Sequence, residues 1–169
     1  MNKPLYQFFE TDHRRIDALL DEATKVAGEI RQDTYHLFRT GLLKHIKMEE
    51  KILFPAAQKA NGGTPLPLQA QLRLEHGALT SLMVVPPTPE VVKVLRHVIA
   101  EHDLKEEAPG GMYDACEKLT REETQSLLAQ LAEATEVPVH PYNKADYALG
   151  AAKRALARAG FDFDAIVHQ

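Results

Sequence analysis

The chain has 169 residues, 44% of them hydrophobic and 26% charged, with a formal net charge of −4; that mild acidity, without any basic run, gives no electrostatic case for nucleic acid or anionic lipid as a partner. One cysteine, Cys116, excludes an intrachain disulfide and points to a reducing compartment. No apolar run approaches the roughly 18 residues of a membrane span, and none follows the N-terminus as a signal peptide would, so a soluble, cytoplasmic protein without a membrane partner is expected.

Hydrophobic residues recur with helical period throughout, and no segment alternates with period 2. Phe9, His13, Ile16, Leu20, Ala23, Ala27 and Ile30 predict a first amphipathic helix. Residues 28–33 break it, and Asp33 is expected to cap the second helix. That helix carries the stripe Phe38, Leu42, His45, Glu49, Ile52 and Ala56. Asn61-Gly62-Gly63-Thr64-Pro65 interrupts the pattern before Leu68, Leu72, His76, Leu79 and Met83 mark a third helix. A run of prolines follows, with Thr88 placed as N-cap and Pro89 at the first position of a fourth helix, striped by Val91, Leu95, Val98, His102 and Glu106. Short connections make neighbours antiparallel, so residues 1–118 predict an all-α, up-down-up-down four-helix bundle. Ala108-Pro109-Gly110-Gly111 should end or kink the fourth helix. Residues 119–169 predict a C-terminal helical extension packed on the bundle. Thr120 to Glu123 reads as a capping box opening one helix to about Ala134, and an alanine-rich helix runs from about Lys144 to Gly160. The segment from Ala145 to Ala159 could cap the bundle or form a homodimer.

The chemistry lies in a repeat: a lone histidine, then His-x-x-x-Glu. The copies are His13 with His45 and Glu49, and His76 with His102 and Glu106. In antiparallel helices, residues equidistant from a turn lie at equal height, because each residue rises about 1.5 Å. His13 and His45 are equidistant from residue 29, His76 and His102 from residue 89, and the midpoint of Glu49 and His76 falls between Gly62 and Gly63. Three separate turns thus bring six side chains into one layer, and all six sit on apolar stripes, where polar groups are costly unless something satisfies them. Four imidazoles and two carboxylates suit a pair of first-row cations.

The chain contains its own control. His97 and Glu101 share the spacing, but His97 lies roughly 140° around the helix from His102, on the solvated side. Asp17, four residues after His13, is expected to act as an outer partner or a solvent-facing charge, and His36 falls out of phase with His45. Glu50 and Glu107 are expected to face solvent; Tyr35, Phe54, Tyr113 and Cys116 read as packing residues.

These blocks resemble the hemerythrin-like (HHE cation-binding) family. The resemblance rests on Asp12-His13-Arg-Arg-Ile-Asp17, on His45-Ile-Lys-Met-Glu-Glu-Lys-Ile-Leu-Phe-Pro55, on the isolated His76 and on His102-Asp-Leu-Lys-Glu-Glu107, and covers about residues 5–118. It implies a bundle holding two iron ions in a non-haem di-iron centre. His13, His45, His76 and His102 would be terminal ligands, and Glu49 and Glu106 bridges. Oxygen-carrying members have a further histidine four residues after the one matching His76; Thr80 stands there, which argues against respiratory oxygen carriage.

Two octahedral ions offer about twelve positions, of which four histidines and two bridging carboxylates fill eight. An added oxide or hydroxide bridge would leave about two for a small ligand. The expected function is therefore binding or sensing of a diatomic such as O2 or NO, or of iron itself. Turnover of peroxide or NO, or repair of iron centres, ranks second because no further acid–base group is visible in the layer. Zinc or manganese occupancy, with an interaction role for the bundle, is the third reading.

Overall fold

The computed structural model describes residues 2–169, which are helical without any strand. Among the described residues no helix is long and apolar enough to cross a membrane. Helix α1 spans Pro4–Ala23, opened by a proline whose missing N–H costs nothing in a first turn. It stops before the predicted Ala27 and Ile30. The Thr24 hydroxyl donates to the Leu20 carbonyl at 2.8 Å, the chain turns at Gly28 with φ 79°, and the Arg31 N–H returns to the Ala23 carbonyl.

Helix α2, Gln32–Met48, begins after Arg31, so Asp33 lies in its first turn and is not its cap. Its charge still favours that end of the helix dipole. From Glu49 to Leu53 the backbone widens into a π turn, closed by the Phe54 N–H on the Glu49 carbonyl, and continues as α3, Phe54–Ala60. Pro55 follows directly, a residue with no N–H to give the preceding turn. The π turn adds a residue to the helical repeat and rotates the stripe. Leu53, Phe54 and Ala57 are buried where Ile52 and Ala56 were expected, and those two are only half-buried.

Helices α4, Gln69–Val84, and α5, Pro89–Glu107, bury the predicted residues from Leu72 onward. Thr88 caps α5, its hydroxyl accepting from the Val91 N–H at 3.2 Å. Helix α1 packs on α2 and α5, and α4 on α2 and α5.

Two apolar clusters occupy this bundle. One gathers Ile16, Leu20, Phe38, Leu42, Leu79 and Val98 with their neighbours; the other gathers Leu5, Phe9, Met48, Leu53, Leu72 and Met112. On α1, α2 and α4 the passage from one cluster to the other occurs at the histidine of the repeat; on α5 the first cluster ends at Ile99, before His102, and the second resumes only at Met112 beyond the helix. The polar layer is thereby sealed on both sides by hydrocarbon.

As expected, Ala108–Gly111 ends α5. Gly110 adopts φ 76°, and a Cβ on Gly111 would stand 2.6 Å from the Lys105 carbonyl oxygen, so only glycine fits. The chain returns as α6, Met112–Leu119. The predicted capping box does not form. The Thr120 hydroxyl donates back to the Cys116 carbonyl at 2.8 Å, and a 3-10 turn at Arg121–Glu123 precedes α7, Thr124–Glu133. Helix α8, Asp146–Arg158, buries Ala148, Ala152 and Ala155 and packs along α4, its small residues allowing close approach; Gly160 ends it at φ 92°. A short α9, Phe163–Val167, packs on α5. It escaped the sequence expectation because five residues show no period.

Candidate metal centre

All six predicted residues meet. The ring centroids of His13 and His45 are 4.5 Å apart, and those of His76 and His102 are 4.8 Å apart. Two fully buried groups could each hold a cation: His13, His45, Glu49 and Glu106, and His76, His102, Glu49 and Glu106. Both carboxylates belong to both groups. Glu49 turns one oxygen to His45 Nε2 at 3.1 Å and the other to His76 Nε2 at 2.9 Å. Glu106 turns one to His13 Nε2 at 3.2 Å and the other to His102 Nε2 at 3.1 Å.

The outward ring nitrogens are all occupied. Asp12 of α1 takes His45 Nδ1 at 2.8 Å, and Glu50 takes His76 Nδ1 at 2.7 Å. Glu75 of α4 takes His102 Nδ1 at 2.8 Å, and Glu107 of α5 takes His13 Nδ1 at 2.6 Å. Each helix therefore holds the histidine of another, and the four links close a ring around the layer. Such carboxylate–imidazole bonds place the ring proton on Nδ1 and leave Nε2 inward as a donor atom to a metal.

This corrects the sequence expectation for two residues. Glu50 and Glu107 are half-buried orienting groups, not solvent-facing charges. Asp17 fills the second of its two expected roles, a partly exposed charge that pairs with Arg14 at 3.8 Å. Glu75, fully buried and also bound by Lys105 at 2.7 Å, was missed. A signal for all four existed: an acid stands immediately before each lone histidine and immediately after each glutamate of the repeat. His97 lies off the layer as expected, half-buried with its ring edge-on to Phe161 at 6.0 Å.

Tyr113 is the larger surprise. Expected as packing, it is 1% exposed, and its hydroxyl lies 2.5 Å from Glu49 Oε1, 2.9 Å from Glu106 Oε2, and 3.0 and 3.3 Å from the Nε2 atoms of His13 and His45. Nothing in the helical period marks it, because the Gly110–Gly111 turn carries it there. Burial, reinforced by the two carboxylates, pushes its phenol well above the ordinary tyrosine range. Cys116, by contrast, is a buried free thiol that burial raises, in keeping with a packing role. Thr80, at the position of the absent histidine, gives its hydroxyl to the His76 carbonyl at 2.7 Å.

Electrostatics across the layer favour cations. Burial opposes charge on His13 and His45, yet the hydrogen bonds His13 gives to Glu106 and Glu107 hold it at about 10, and Glu49 with Asp12 holds His45 at about 9. Burial would raise Glu49, but His45 and His76 keep it well below the usual carboxylate range. Asp103, 3.5 Å from His13 Nε2, is pushed by burial up to about 7. Hydrogen bonding alone does not satisfy the layer: Glu49 Oε2 and His76 Nε2 stand 2.9 Å apart and Glu106 Oε1 stands 3.1 Å from His102 Nε2, yet among the described residues these three buried atoms complete no hydrogen bond. Orphaned buried atoms of this kind demand a reason, and all three are nitrogen or oxygen donors directed into the second group, a set that suits a first-row metal.

A family model, the hemerythrin HHE cation-binding domain, matches residues 5–136. The chain belongs to that family. The match runs past residue 118, where the recognisable motifs end, and takes in α7. Neither the curated proteins nor the solved structures compared with the chain contain a match. Membership in the HHE family and the buried His/Glu groups together make this a metal-binding layer of a helical bundle.

Proposed function

We propose that this HHE-family chain is a cytoplasmic non-haem di-iron protein that binds or senses a small ligand such as O2 or NO, or iron itself. In this reading α1, α2, α4 and α5 form an up-down-up-down bundle, His13, His45, His76 and His102 are terminal ligands, and Glu49 and Glu106 bridge. One observation carries it: each of the two carboxylates offers one oxygen to each histidine pair, as a bridge between two cations requires.

Bound iron would supply reversible redox chemistry and a coordination position open to a small ligand. The chain does the rest. Its outer carboxylates fix the imidazoles, and its two apolar clusters keep bulk water from the layer. A cavity of about 10 Å³ beside His13, His45 and His102, walled by Leu42, Leu79 and Ile99, admits a molecule of water size and no organic substrate. A surface groove of about 480 Å³ shares Asp17, Ile99 and Asp103 with that cavity and supports an approach route there.

A second reading, an enzyme turning over peroxide or NO at the same centre, is favoured by Asp103, a carboxyl that lines the cavity next to His13. Anaerobic iron loading followed by spectroscopy with and without O2, azide and NO tests both. About two irons per chain and a visible spectrum altered by these ligands are expected. Peroxide consumption beyond free-iron controls would move the assignment to the enzyme. Recovery of only zinc or manganese from iron-supplied cells would reject iron.

A further inference from the structure

We infer that Tyr113 is a seventh protein ligand, its phenolic oxygen binding the cation held by His13 and His45 and leaving the His76–His102 cation the more open of the two. The inference rests on the two-cation reading above and adds an asymmetry that the repeated motif does not contain.

The geometry comes first. In an octahedral site with bonds of about 2.1 Å, each vertex lies about 3.0 Å from its four neighbours. The facing atoms of this half already show that spacing, 3.1 Å between His45 Nε2 and Glu49 Oε1 and 3.2 Å between His13 Nε2 and Glu106 Oε2. The Tyr113 oxygen lies between 2.5 and 3.3 Å from all four. It therefore stands where a fifth vertex would stand. A hydroxyl kept only for hydrogen bonding has one proton to donate, and here it faces two carboxylates and two imidazole nitrogens.

The other half has no counterpart. Thr80, one turn beyond His76, spends its hydroxyl on the His76 carbonyl. Among the described residues no hydrogen bond joins Tyr113 to His76 or His102. The phenol is also held rigidly: Phe9 lies 5.3 Å and Tyr6 6.0 Å from its ring, and the Gly111 turn, which tolerates no Cβ, sets the start of α6. On binding, the phenol O–H bond is replaced by an oxygen–metal bond and the proton leaves to solvent. The His13–His45 cation then has five protein donors and its neighbour four, so an added anion binds the His76–His102 cation first.

The test uses the full chain, loaded with Fe(II) without oxygen and then oxidised in air, with O2 as electron acceptor. Wild-type protein should show a visible phenolate-to-iron(III) charge-transfer band whose resonance Raman ring modes shift when tyrosine is ring-deuterated. Tyr113→Phe should keep both irons, lose the band and bind a second equivalent of azide, whereas Tyr35→Phe should keep the band. Wild-type protein with two irons and no tyrosinate modes overturns the inference and leaves the di-iron reading intact. A band that survives Tyr113→Phe also overturns it. Failure of the wild type to take up iron removes the di-iron reading and this inference together. Should Tyr113→Phe not fold, the labelled wild-type spectrum still decides.

Discussion

The two His-x-x-x-Glu segments look alike in sequence and part company one residue beyond the glutamates. After Glu49 and Glu50 the helix continues: a π turn rotates the stripe, Pro55 follows, and α3 carries on in the same direction. After Glu106 and Glu107 the chain breaks at Ala108 and Pro109, turns through two glycines and comes back as α6 with Tyr113 in the layer. The shared pattern builds two equal donor sets, and the unequal sequels make the two sets different. Repetition in a chain thus sets the ligands, while the breakers beside it set what each half can do.

The strongest challenge to this comparison is removal of a donor. On the proposed di-iron reading, His45→Ala and Glu106→Ala should both cut iron content from about two per chain to below one, measured by metal analysis after reconstitution, because each leaves the remaining donors short of a coordination set. Equal loss with His97→Ala would sink the assignment of the layer.

The outer ring gives the next largest effect and tests whether the halves are equivalent at that level. Glu75→Ala and Glu107→Ala should each weaken metal affinity about 10- to 100-fold in chelator competition, through loss of imidazole orientation. A much smaller effect at Glu107 than at Glu75 would show that the ring is not a closed unit.

A third probe acts on the sequel alone. Gly111→Ala forces a methyl against the Lys105 carbonyl and should cost about 1–3 kcal/mol in denaturant unfolding. An unchanged midpoint would mean the turn yields and does not set the position of α6.

The effect of pH is smaller, and His76 and His102, also raised by their carboxylate partners against burial, give it the same direction in the other half. The folded-state pKa values of His13 and His45, about 10 and about 9, lie above the unfolded value near 6.5. Their contribution to the chelator-stripped protein is therefore full below pH 6.5 and lost as pH rises through 9 and 10. The melting temperature of stripped protein should fall over that window, by several degrees on the order expected for a domain of this size. Metal affinity should rise over the same window, because ligation displaces those protons. A stripped protein that becomes more stable between pH 7 and pH 10 would contradict the assigned ion pairs.

Much of this was legible without coordinates. The equal-height condition needs only the helical rise and the turn positions, and Gly62, Gly63, Thr88 and Pro89 mark those turns in residues whose backbone preferences are strong. Helical period placed His13, His45, His76 and His102 on inward faces because apolar neighbours three and four residues away leave no other face to bury. The local errors have local causes. The rotation after Glu49 depends on a hydrogen bond of π type that no residue type announces, and Thr120 chose the preceding carbonyl over the cap.

What sequence alone determined, then, is the helical class, the six inward donors and the family. The first two follow from periodicity and spacing, which are properties of a single helix and the turn beside it; the family follows from the likeness of the blocks around His13, His45, His76 and His102 to its motifs. The outer carboxylate ring and Tyr113 were decided by tertiary structure. Asp12, Glu50, Glu75 and Glu107 each act on a histidine of a different helix, and Tyr113 reaches the layer only because a glycine turn reverses the chain; partners across helices are set by packing, which no single-helix period encodes.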